Sequence, residues 1–216
     1  MSLHAPALSF PELAAILAAS PPACICAPGL TPAAVALILR EGDRGLEVLF
    51  IERASHDGDP WSGDLGFPGG KVEPGDAGPR EAAERETGEE LGLDLAAARY
   101  LGRLADIAGA HLPVRISCFV YGLSGNPNLT PGSEVRDFFW VPLEDLRDPG
   151  RHTAATVRFG GETFRRPAIV LPVEGKPVLW GITYRLVMQF LAIAGGDLGQ
   201  EEAMGSEESE RVGEGR

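Results

Sequence analysis

Apolar residues fall into short runs separated by polar stretches rich in glycine and proline. Residues 31–40, TPAAVALILR, and 45–53, GLEVLFIER, are β-rich runs. The link between them, EGDRG, is turn-rich and predicts a hairpin. Residues 98–108 (ARYLGRLADIA), 114–123 (VRISCFVYGL) and 135–143 (VRDFFWVPL) are further strand candidates. Residues 152–171 predict a second hairpin, turned at Gly160 and Gly161. Residues 10–19, FPELAAILAA, read as a short helix with Pro11 near its first turn. Residues 79–91, PREAAERETGEEL, carry strong helix formers, with Asp76 or Gly78 near the N-cap and Gly92 at the C-terminus. Residues 143–148 predict a brief helix, and 178–194, VLWGITYRLVMQFLAIA, an apolar helix packed on the sheet. The stretch 54–66, ASHDGDPWSGDLG, is too long for a tight turn, and loops of that length are usually functional or disordered. The segment 67–79 is also a Gly- and Pro-rich loop. The fold class expected is α/β (α+β), a mixed β-sheet between a central helix and a C-terminal one.

Composition narrows the function. The 216 residues carry a net charge of −12, which argues against general nucleic-acid binding. Residues 195–216 contain seven acids, two arginines and almost nothing to bury, so they read as a disordered acidic tail. Five of the negative charges lie there, leaving about −7 on the body. A body of that charge acts on anions only through local cations, either arginines or bound metal. No apolar run approaches a membrane span, and no secretory signal opens the chain, so no membrane partner is expected. Cys24, Cys26 and Cys118 form no spaced framework, and a reduced, cytoplasmic protein is expected. Residues 1–28 read as an N-terminal accessory segment and 29–194 as the main domain.

The central helix concentrates acid. At 100° per residue, Glu89 lies about −60° and Glu90 about +40° from Glu86, so three carboxylates share one arc of about 100°. Such crowding destabilises a bare helix. A divalent cation relieves it, and oxygen-only ligands suit Mg²⁺ or Mn²⁺. Glutamates on a helix are most often merely solvated. The glycine-rich GFPGGKVEPGD just upstream changes that balance, because it lets backbone approach a ligand closely. The P-loop, the dinucleotide-binding G-x-G-x-x-G and the G-x-S-x-G nucleophile motif are all missing from the sequence.

Residues 70–93, GKVEPGDAGPREAAERETGEELGL, resemble the Nudix box, G-x5-E-x7-R-E-U-x-E-E-x-G-U. Gly70, Arg85, Glu86, Glu89, Glu90, Gly92 and Leu93 match. Asp76 stands where the pattern has its first Glu, the gap from there to Arg85 is one residue longer, and Thr87 replaces an aliphatic residue. The FPGG stretch with its Asp and extra residue is similar to the coenzyme A pyrophosphatase branch. That branch's upstream motif, ending G-x3-F-P-G-G, is matched from Gly63. Arg53 matches that motif's first arginine, whereas Asp59 stands at the second. Residues 178–185, VLWGITYR, also look like the C-terminal segment of such proteins.

The resemblance implies a Nudix α/β/α sandwich and metal-dependent hydrolysis of a nucleoside diphosphate linked to another moiety. It implies metal ligation by Glu86 and Glu90, with Glu89 assisting and the Gly70 carbonyl as a backbone ligand. Arg85 is expected to orient a glutamate by a bidentate pair. The general base is open between Glu89 and Glu134. For the substrate, coenzyme A or its thioesters lead. ADP-ribose, a dinucleotide or an oxidised nucleotide, or a silent binding module, stand as alternatives. Arg53 and Lys71 are expected to contact phosphate. Trp61 could stack on adenine or plug its loop onto the core. His111 and Arg115 are weaker cleft candidates, and Trp180, Tyr184 and Phe190 read as core first. The oligomeric state is open between a monomer and a homodimer.

Overall fold

The computed structural model describes residues 8–19, 21–55, 62–110 and 112–195. Trp61, Asp59, His111 and the tail from 196 onward lie outside the described residues. The elements in chain order are α1 (Phe10–Ala19), β1 (Thr31–Gly42), β2 (Gly45–Arg53), β3 (Leu65–Gly66), β4 (Gly69–Lys71) and α2 (Pro79–Leu91). There follow β5 (Arg99–Arg103), β6 (Ile107–Ala108), β7 (Val114–Leu123), β8 (Val135–Pro142) and α3 (Leu143–Arg147). The chain continues through β9 (His152–Phe159), β10 (Glu162–Ile169), β11 (Leu179–Trp180) and α4 (Gly181–Ile193).

Eight strands form one mixed sheet with the main order β3-β2-β1-β7-β5, while β4, β6 and β8 pair with β1, β7 and β2. The β1–β7 pair runs parallel, and the other ladders of this sheet are antiparallel. Alternation along the strands decides which layer each side chain joins. Ala34, Ala36 and Ile38 of β1, Leu49 and Ile51 of β2, and Phe119 and Tyr121 of β7 meet Ala82, Ala83 and Leu91 of α2. The intervening residues Leu37, Leu39, Val48, Phe50, Cys118 and Val120 meet α1 and α4 on the other face. The sheet is therefore sandwiched between helices, as its alternating burial requires.

The predicted strands and helices are present, with informative differences. The stretch 67–79 is not loop throughout. The β1–β2 hairpin is paired from Leu39/Val48 to Gly42/Gly45, and beyond that the two strands part. β3 pairs with Ile51 and Glu52 of β2, and β4 pairs with residues 33–35 of β1, so the FPGG segment fills the gap. Phe67 is buried and stacks on Phe50 with centroids 5.3 Å apart. Gly69 has φ +147, and a Cβ there would collide with the Ala34 carbonyl and Val35 Cα. Only glycine fits this inserted strand, and glycine carries no hydrophobic period to betray it.

The apolar run 178–194 is also not all helix, because Leu179 and Trp180 pair with β10 as a strand. β9, β10 and β11 make a separate three-stranded sheet. The strand expected over 98–108 breaks into β5 and β6, with an irregular register between Tyr100 and Gly102. α1 is integral to the core: Phe10, Leu13 and Leu17 are buried. Cβ atoms at Gly122 and Gly102 would press on the Phe10 ring and the Leu17 side chain.

Candidate functional site

α2 begins beside Gly78, which caps it without a side-chain bond, and ends at Gly92 in the left-handed conformation. Asp76 does not cap the helix. Thr87, the departure from the box pattern, is fully buried, and its hydroxyl donates to the Ala83 carbonyl at 2.7 Å. That bond satisfies the hydroxyl and makes the polar substitution tolerable in the core.

The helix end also recruits the loop that follows β7. Helix-terminal carbonyls lack partners within their own helix. Here Thr130 N–H donates to the Leu91 carbonyl and Gly132 N–H to that of Glu90, each at 2.8 Å. A Cβ at Gly132 would lie 2.7 Å from the Glu89 carbonyl. The loop is thereby laid across α2, and a cavity of about 160 Å³ forms between them. Glu86, Glu89, Glu90, Gly132, Ser133 and Glu134 line it. Both candidate bases thus face one cavity. Gly132 and Ser133 went unnoticed in the sequence, where GSE carries no motif.

The four carboxylates differ in environment. Glu90 is 4% exposed. Its Oε2 accepts the Gly69 N–H at 2.9 Å, and its Oε1 lies 3.9 Å from Arg53 Nη1. Burial pushes its pKa up to about 7, and nearby Glu86 and Glu134 add to the rise against Gly69 N–H and Arg53. Glu86 is also raised, chiefly by burial, although Arg85 opposes this. Its carboxylate sits where a Cβ on Gly70 would be, so only glycine permits this approach. Glu89 is largely exposed.

Arg85 organises the acid cluster differently from the expectation. Its bidentate partner is Asp76, with Nε to Oδ1 at 3.0 Å and Nη2 to Oδ2 at 3.2 Å. Single bonds reach Glu86 at 3.1 Å, Glu89 at 3.2 Å and the Lys71 carbonyl at 3.2 Å. The guanidinium in turn holds Asp76 below the usual carboxylate range. The Lys71 side chain is exposed and absent from the cavity lining, so its connection to the site is through its backbone carbonyl. Arg115 bonds the Ile25 carbonyl, away from the cavity. Trp180 donates its indole N–H to Asp64 Oδ1 at 3.0 Å, at the sheet edge rather than within the helix core.

The donor set suits a hard divalent cation: carboxylate oxygens gathered on one cavity, one of them buried and its pKa raised chiefly by that burial. Among the described residues, no group of three or more His, Cys, Asp and Glu side chains is arranged to hold a metal as it stands. Arg85 pairs with both Glu86 and Glu89. Among the described residues, no helix is long and apolar enough to cross a membrane.

A mixed sheet between helices, with a Gly-Gly strand pressed against an acidic helix, defines the Nudix class of folds. The chain belongs to the NUDIX family: the NUDIX domain model matches residues 29–159. A probable nudix hydrolase of Schizosaccharomyces pombe is 28% identical over 165 residues, covering 74% of this chain and 54% of that protein. Nudix hydrolase 15, mitochondrial, of Arabidopsis thaliana is 30% identical over 167 residues, covering 74% of this chain and 58% of that protein. The chain thus spans little more than half the length of these two relatives. It spans 33% of another S. pombe relative, an uncharacterized protein that is 37% identical over 110 residues. Among solved structures, a MutT/nudix family protein from Enterococcus faecalis is similar at 15% identity, with a TM-score of 0.49. That match covers 79% of this chain and 70% of that one.

Proposed function

We propose that the chain is a metal-dependent pyrophosphohydrolase of nucleoside diphosphate derivatives, with coenzyme A or its thioesters as substrate. The observation that carries the hydrolase reading is the buried Glu90, clasped by Gly69 N–H in a cavity it shares with Glu86, Glu89 and Glu134. Glu86 and Glu90 would hold Mg²⁺ or Mn²⁺, with Glu89 assisting and the Gly70 carbonyl as a backbone ligand. Such an ion, when bound, neutralises phosphate charge and acidifies an attacking water. Arg85 keeps Glu86 and Glu89 oriented through its anchor on Asp76. Arg53 supplies positive charge for phosphate beside Glu90. Glu134 or Glu89 takes the proton of the water. Addition of water across the pyrophosphate of coenzyme A gives adenosine 3′,5′-bisphosphate and 4′-phosphopantetheine.

Support for coenzyme A comes from the Gly63-to-FPGG motif, whose Gly69 N–H bonds Glu90 and whose Gly70 lies against the Glu86 carboxylate. Asp59, standing where the branch has its second arginine, favours a second reading in which ADP-ribose, a dinucleotide or an oxidised nucleotide is cleaved. Residues 29–194 would form the hydrolase domain, with 1–28 an accessory segment and 195–216 an appended tail. Incubation with coenzyme A, ADP-ribose, diadenosine polyphosphates and oxidised nucleotides, each with Mg²⁺ or Mn²⁺, tests the proposal. Coenzyme A is expected to turn over fastest. Turnover of ADP-ribose with coenzyme A inert would select the second reading, and a chain that binds nucleotides without turnover would be a silent binding module.

A further inference from the structure

β2 ends at Arg53 and β3 begins at Leu65. One short piece of chain, residues 176–180, holds both the end of β2 and the approach to β3. At the end of β2, Lys176 Nζ donates to Glu52 Oε2 at 2.8 Å. Glu52 is 5% exposed and is also paired with Arg136 at 3.0 Å. At the approach to β3, Trp180 Nε1 donates to Asp64 Oδ1 at 3.0 Å. Lys176 is further paired with Asp137, and the Trp180 ring meets Phe159 edge-on at 6.2 Å.

Backbone bonds carry this anchoring to the cavity. Arg53 N–H donates to the Asp64 carbonyl at 3.1 Å, and Ala54 N–H to the Glu134 carbonyl at 2.8 Å. Arg53 lies beside Glu90, and Glu134 lines the cavity. The anchored segment therefore adjoins Glu90 through Arg53 and the cavity wall through the Glu134 carbonyl. The carboxylates of α2 are held separately, by Arg85 and by Gly69 N–H. A buried carboxylate and a partly buried indole N–H each need a partner, so both anchors have a physical reason to persist.

We propose that Lys176 and Trp180 are positioning residues, a two-point clamp on Glu52 and Asp64 that fixes Arg53 and Ala54 and so sets the affinity of the acidic cavity for its substrate. This rests on the hydrolase reading for its kinetic consequence. Loss of the clamp loosens Arg53 first, because the Glu134 loop is also held on α2 through Thr130 and Gly132, and it leaves the α2 carboxylates in place. Binding weakens, and the chemical step changes little.

The test uses the full chain and two independent readouts. In the substrate-free protein, Trp180→Phe should speed hydrogen exchange of the Arg53 and Ala54 amides at least tenfold, while amides within α2 exchange as before. In steady-state hydrolysis of coenzyme A with Mg²⁺, KM should rise at least tenfold with kcat altered less than threefold. Asp64→Asn keeps an oxygen acceptor and should stay within threefold of the original KM. The effects of Trp180→Phe and Asp64→Ala should be non-additive, as for two ends of one bond. Lys176→Met tests the other anchor if Trp180→Phe does not fold. Unchanged exchange at Arg53 and Ala54 overturns the clamp whatever the activity. Unchanged KM with lowered thermal stability also overturns it, because the contact would then be structural alone. If the unaltered chain cleaves no substrate on the panel, the hydrolase reading fails, and exchange alone decides the clamp.

Discussion

Glu90 concentrates opposing demands in one side chain. Its carboxylate is buried, receives one backbone N–H and faces Arg53 at 3.9 Å, too far for a tight ion pair. Burial therefore disfavours its charged form, and a further cation would favour it. Glu90→Gln keeps the shape and the acceptor for Gly69 N–H but removes the charge. It should lower kcat by at least about 10²-fold at saturating Mg²⁺ or Mn²⁺. Metal-free thermal stability at neutral pH should be unchanged or higher, which a melting curve in chelator would show. The pH dependence has a definite sign. A folded-state pKa of about 7, against an ordinary 4.5, means the folded form binds the proton more tightly. Between those values stability falls as pH rises, by about 3 kcal/mol for this group in full. Urea midpoints of the metal-free chain should therefore fall from pH 5 to pH 8. Glu90→Gln should flatten that slope, and an equal slope in the variant would show that other groups dominate.

Within the elements, the strand most important to the site is the one least visible in the sequence. β4 joins the sheet through a position where a side chain would overlap the β1 backbone. Gly69→Ala should cost roughly 2–4 kcal/mol from the positive φ and the overlap together. It should also displace the donor to Glu90, so activity should fall more than stability alone explains. Chemical denaturation together with kcat at a permissive temperature would separate the two effects. The box helix was legible because its acids, its arginine and its flanking glycines repeat a known spacing. β3 and β4 were not, since residues 65–71, LGFPGGK, hold three glycines, a proline and no β-branched residue. The sequence alone places Trp180 in the last helix, because Leu179 and Trp180 are as apolar as the helix that follows. Their pairing with Ala168 and Ile169 is a tertiary fact. Glu134 was visible as an acid in a loop. Its place in the cavity depends on Gly132 and Thr130 capping α2, and capping by a distant loop has no local signature.

At the scale of the whole molecule, the layers place the acidic helix on one face of the sheet and the first and last helices on the other. α2 occupies the first face, and α1 and α4 share the second. The sandwich was readable from the order of elements, but the role of α1 in it was not, because its contacts with Gly102 and Gly122 are non-local. Phe10, Leu13 and Leu17 are all buried, and full burial of each such side chain is worth about 1.5–3 kcal/mol. Removal of residues 1–20 should then destabilise the fold by at least about 4 kcal/mol, lowering Tm by roughly 10 °C. A truncated chain that melts like the intact one would show that α1 packs without holding the sheet.

The Arg85–Asp76 pair links the two departures from the box pattern in this loop. Aspartate is one methylene shorter than glutamate, and the chain between Asp76 and Arg85 is one residue longer than the pattern. The longer span brings the shorter acid to the guanidinium with both oxygens engaged. The two changes therefore behave as a compensated pair, in which side-chain reach and loop length trade against each other. Restoring the pattern's glutamate alone, as Asp76→Glu, should crowd the 5%-exposed pocket that holds this carboxylate. Turnover should fall and recover in part when one residue is also deleted between positions 76 and 85. A sequence could then pass between the two spellings of the box only through a weakened intermediate, so the unusual spacing would mark descent as well as chemistry.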